Sequence, residues 1–120
     1  MDERGSVKAQ AITSRLDGHI MRSKIRDLVD AELIEEHRRH PIGEHSPNLD
    51  VVLSYLRRSP NRDAPRLVLV AADSGGWRIA EWSRVRGDPL TMADGETYGS
   101  REEAEHAVFL RRLAQVGIDV

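Results

Sequence analysis

Between Arg66 and Ser83 the sequence admits few conformations. Arg66-Leu-Val-Leu-Val-Ala-Ala72 is a run of strand formers. Asp73-Ser74-Gly75-Gly76 follows, with two adjacent glycines free to take positive φ. Trp77-Arg-Ile-Ala-Glu-Trp-Ser83 then mixes polar and apolar residues, as a half-exposed strand does. Two such runs joined by so short a turn make an antiparallel hairpin. The loop from Arg86 to Gly95 leads to a short stretch near Glu96 to Tyr98 that reads as a third strand.

Helical patterns flank the hairpin. From Ile20 to about Arg39, Met21, Ile25, Val29 and Leu33 recur in steps of four, opposite Arg26, Asp30, Glu35 and Arg38. This reads as one amphipathic helix, stopped by Pro41 and Gly43. Ser46 caps a second helix with Pro47 at its first position, and Leu49, Val52, Leu53 and Leu56 form its stripe. Ser59-Pro60-Asn61 ends it. Ser100-Arg-Glu-Glu103 is a capping box in which Ser100 takes the Glu103 amide and Glu103 reaches back. It opens a last helix that ends at Gly117. The fold class is α+β: two N-terminal helices, an antiparallel hairpin or three-stranded sheet, and a C-terminal helix packed on the sheet. Leu49, Val52, Leu53, Leu56, Val108 and Phe109 are the expected core. Residues 1–18 read as a flexible arm and 19–120 as a single domain.

Several classes of function are closed by composition. The 120 residues contain no cysteine, so disulfides, thiolate metal sites and cysteine nucleophiles are excluded. No apolar run approaches the roughly 18–20 residues of a membrane span. The N-terminal residues lack the apolar centre of a secretory signal, which fits a cytoplasmic protein. A net charge of −2 exerts no general pull on nucleic acid or membrane. The charge is nevertheless segregated. Residues 57–86 carry 7 arginines against 3 acids, and residues 87–120 carry 3 arginines against 7 acids. The plainest expectation is that the arginine block pairs with the acidic C-terminal segment of the same fold.

Candidate chemistry is thin. His37, His40 and His45 crowd the end of the first helix, and with Glu36 or Glu44 they are the only plausible metal ligands. Pro41 breaks the chain there and no metal signature is present, so a cap on the helix end is the plainer reading. His106 lies four residues after Glu102, but a pair without a nucleophile or pocket is not a mechanism. Ser100 is better used as a cap. No phosphate loop is present. Arginines near Tyr55, Trp77 and Trp82 could stack and hold nucleic acid, but acidic helix ends argue against it. No catalytic residue is predicted.

Four segments carry a resemblance. His40-Pro41-Ile42-Gly43 with His45-Ser46-Pro47-Asn48-Leu49, then Tyr55-Leu56-Arg57, the hairpin ending Trp77-Arg78-Ile79-Ala80, and Ser100 to Leu113 occur in this order. Over roughly residues 25–116 the chain resembles the small (light) subunit of N,N-dimethylformamidase. That resemblance implies an accessory, non-catalytic subunit of an amidohydrolase that cleaves a linear amide C–N bond. It implies a large catalytic partner subunit in a hetero-oligomer, with iron and the chemistry in that partner and no cofactor in this chain. The expected partner interface is Trp77, Trp82, Arg57, Arg58, Arg78, Arg84, Arg111 and Arg112. The alternatives are a small nucleic-acid-binding module, a homo-oligomeric interaction module, and a self-contained metal protein using His37, His40 and His45.

Overall fold

The structure, a computed structural model, describes residues 18–58, 60–93 and 95–120. The expected arm lies outside them except for Gly18, which is already helical. The α+β class is as expected, with four helices and a three-stranded antiparallel sheet among the described residues. Helix α1 covers residues 18–28, α2 Ala31–Arg39, α3 Pro47–Arg57 and α4 Arg101–Gln115. The strands are β1 Arg66–Ala71, β2 Trp77–Trp82 and β3 Thr91–Met92, in the order β1-β2-β3.

The single helix expected from Ile20 to Arg39 is in fact two. Asp30 leaves helical geometry at φ −126° and ψ 178°. Its carboxylate accepts the Leu33 N–H at 2.8 Å, so Asp30 caps a new helix. The hydrophobic period survives the break, because Ile25 and Leu33 both reach the core. Periodicity alone therefore could not reveal it. The other two caps follow the reading. Ser46 Oγ accepts the Leu49 N–H at 3.3 Å, and Ser100 Oγ accepts the Glu103 N–H at 3.1 Å. Glu103 reaches back to the Gly99 amide, at 3.2 Å, one residue beyond the expected Ser100.

Helix α4 ends in a Schellman turn. Gly117 sits at φ 78° and donates to Ala114 O, while Ile118 donates to Leu113 O at 2.9 Å. Leu113 and Ile118 are both fully buried, which supplies the apolar contact such turns carry. The main core joins Ile25, Leu33, Leu49, Val52, Tyr55, Leu56, Phe109 and Leu113 from all four helices. Leu53, expected there, is half-buried at its rim.

The hairpin registers Leu69 against Ile79 and Ala71 against Trp77. Its inner face, with Leu67 and Ile79, packs on Val108 of α4. The third strand is not at Glu96–Tyr98. It is Thr91–Met92, pairing with Ala80 and Glu81, while Tyr98 makes only an isolated bridge to Trp77. Gly76 explains that bridge. A Cβ there would lie 2.5 Å from Tyr98 O, so only glycine admits the approach.

Candidate functional site

Helix α4 lies between α2 and the sheet, and this brings two histidines together. His37, four residues after Leu33 on the core face of α2, is buried, 3% exposed. Its ring stacks on Phe109 with centroids 4.0 Å apart. Its Nδ1 lies 2.9 Å from Nδ1 of His106, three residues before Phe109 on α4. One of these nitrogens donates and the other accepts, so the pair cannot carry protons on both facing atoms. His45 stacks more loosely, at 6.1 Å. Burial, then His106 and His45, push His37 down to about 4, against a smaller upward pull from Glu36. His106 is lowered as well, by burial first, then by Arg38, with Glu35 opposing.

His37, His45 and Phe109 border a cleft of about 250 Å³ whose walls include Leu53, Arg57, Glu105 and Arg112. Its neighbouring groups are structural. Glu36 accepts both the Ser46 N–H, at 2.7 Å, and the Ser46 hydroxyl, at 2.6 Å, tying α2 to the start of α3. Those hydrogen bonds hold its carboxyl below the usual range. His45 Nε2 donates to His40 O at 2.7 Å. His40 itself is the exposed C-cap of α2. The three expected metal candidates, His37, His40 and His45, therefore do not converge on one point. Among the described residues no three His, Asp or Glu side chains form a set that could hold a metal ion.

The expected interface residues fall in two places. Trp82 is half-buried on the outer sheet face, opposite α4, with Nε1 donating to Val85 O at 3.2 Å. It lines an open depression of about 420 Å³ with Val68, Val70 and Leu90. Trp77 and Arg78 are half-buried on the same strand, and Arg111 is half-buried on α4. Arg57, Arg84 and Arg112 instead border a small separate cleft near the end of α3. Arg58 is exposed beside them and donates to Ser54 O. The expected pairing of the arginine block with the acidic C-terminal segment does not form for Arg57, Arg58, Arg66 or Arg84. Ion pairs among the described residues include Glu35 with Arg38 and Arg39, His45 with Asp50, and Arg101 with Glu105. The acids of α4 spend themselves on its own first turns, at the positive end of its dipole.

Sequence reading paired His106 with Glu102 and missed His37 as its neighbour. The available signal was the 106/109 spacing on α4, which places histidine and phenylalanine on one face.

A family model for the N,N-dimethylformamidase alpha subunit matches residues 11–120. The chain belongs to this family. Two relatives carry that same description. One, from Paracoccus aminophilus, is 33% identical over 100 residues, covering 79% of this chain and 69% of its own. The other, from Alcaligenes sp, is 36% identical over 100 residues, covering 79% and 74%. The match takes in all the segments on which the dimethylformamidase resemblance was read, from His40-Pro41 to Leu113. In this member of the dimethylformamidase alpha-subunit family the hydroxyls of Ser46 and Ser100 serve as helix caps.

Proposed function

We propose that the chain is the small, non-catalytic subunit of a dimethylformamidase-type amidohydrolase. A large partner subunit holds the iron and hydrolyses the amide C–N bond of an N-substituted formamide, and this chain docks on it in a cytoplasmic hetero-oligomer. The observation that carries the reading is the one-sided sheet. Helix α4 packs on the inner face, and among the described helices it is the one that contacts the strands substantially. Val68, Val70, Trp82 and Leu90 line that outer depression, with Leu90 46% exposed and neighbouring Met92 also 46% exposed. An apolar patch with a tryptophan at its rim is the usual anchor of a protein interface. The subunit description shared by the relatives supports the same reading.

The test is co-expression with a large dimethylformamidase subunit, followed by co-purification, metal analysis and a dimethylformamide hydrolysis assay. The complex is expected to hold iron and release formate, and this chain alone to do neither. Hydrolysis by this chain alone, or a stoichiometric metal in it, would end the proposal. No described helix is long and apolar enough to cross a membrane.

A further inference from the structure

The small cleft at the end of α3 carries a second proposal, which stands independently of the subunit reading. We propose that it is an oxyanion-binding site in which Arg57, Arg66, Arg84 and Arg112 together take one carboxylate or phosphate group. The four residues come from four separate places: the last turn of α3, the first residue of β1, the segment after β2, and α4. No acidic residue lines the cleft. Its two amide side chains are already committed, Asn61 donating to Gln115 O at 2.7 Å and Gln115 donating to Pro65 O at 3.1 Å. They brace the walls and leave the charge to the arginines.

None of the four arginines makes an ion pair with a carboxylate among the described residues. Arg84 uses Nε on Ala64 O at 3.2 Å, which aims the guanidinium and leaves both terminal amino groups unspent. Its backbone is at φ 74°, where a side chain other than glycine is strained. Arg112 is half-buried. Burial lowers its pKa, Glu105 opposes from a distance, and Arg66 and Arg57 lower it further. Gathering like charges in a partly desolvated place is unfavourable until a counter-charge enters. Guanidinium groups bind planar or tetrahedral oxyanions through paired hydrogen bonds, which fits arginine at all four positions. The cleft holds about 70 Å³. That is far below the roughly 300–1,000 Å³ of a site for a drug-sized ligand, and suits one oxyanion group rather than a larger molecule. The group is either a free small anion or the end of an acidic side chain on a partner.

The full-length chain is titrated with sodium phosphate and sodium acetate against sodium chloride at matched ionic strength. Thermal unfolding and the arginine Nε–H resonances are followed. Phosphate is expected to raise Tm by about 2–4 °C above chloride, as a ligand of the folded state does. The resonances of Arg57, Arg66 and Arg112 are expected to shift saturably. R112Q and R66Q should each weaken this response at least tenfold. R86Q, an exposed arginine outside the cleft, should leave it intact. Equal responses to phosphate and chloride, or an undiminished response in both R112Q and R66Q, overturn the site. The wild-type resonances decide the matter even where a variant does not fold. Repeating the titration on the complex separates the two sources. Phosphate still binds if the natural ligand is a free anion. It is excluded, with the resonances already shifted, if a partner carboxylate fills the cleft. Failure to co-purify with a large chain would remove the subunit proposal and leave this titration untouched.

Discussion

The Nδ1 atoms of His37 and His106 lie 2.9 Å apart although the residues are 69 positions apart in sequence. Only one proton fits between them, and burial against Phe109 removes His37 from water. His106 and His45 disfavour charge on His37, and Glu36 favours it, but burial is the largest cause and holds it at about 4. The unfolded chain then binds more protons than the folded one between about pH 6.5 and 4. Stability contributed by neutral His37 is present at pH 7 and is lost as pH falls through that window. From pH 7 to pH 5, above the carboxylate range, urea unfolding should show a loss of about 2 kcal/mol. H37L should flatten most of this slope, and an unchanged slope would show that His37 is not its source.

The break between α1 and α2 rests on Asp30. D30A should cost about 1 kcal/mol in urea unfolding, and D30S should recover most of it, because a hydroxyl can accept the same Leu33 amide. If D30A and D30S are equally destabilised, the cap is not what divides the helices.

Gly75 and Gly76 both have positive φ, 90° and 82°, but only Gly76 has a neighbour in the way. An alanine at position 75 meets open space and pays only the backbone penalty, on the order of 1 kcal/mol. G76A adds a collision with Tyr98 O and should cost roughly 2–3 kcal/mol. Chemical denaturation of the two variants, side by side, tests whether the Trp77–Tyr98 bridge depends on this approach.

The two sheet faces should respond oppositely to substitution. I79A empties a fully buried position on the inner face and should cost about 2–5 kcal/mol. V70D, on the outer face, should change stability by less than about 1 kcal/mol. It should nevertheless abolish co-purification with the large chain, since a carboxylate would have to be desolvated in the contact. A V70D chain that still co-purifies would move the docking surface elsewhere.

Much of the fold was legible because its signals are short-ranged. Ser46 and Ser100 cap amides three residues away, and the strands flank their own turn. The α+β class and the ends of α3 and α4 follow from such local pairs. The break at Asp30 escaped because aspartate is equally at home on a solvated helix face, and Ile25 and Leu33 stay in phase across it. The third strand escaped because Thr91–Met92 is only two residues long and owes its conformation to Ala80 and Glu81.

Local sequence thus determined the caps, the hairpin turn and the apolar stripes, since each is settled by atoms a few bonds apart along the chain. Which charged and ring-bearing side chains meet was decided only by packing. The insertion of α4 between α2 and the sheet places His106 on His37 and lines up Arg112 with Arg57, Arg66 and Arg84. The physical reason is that the apolar stripes bury the same area whichever polar groups ride beside them. Hydrophobic burial sets where the helices lie, and the meetings of histidines and arginines follow from those positions.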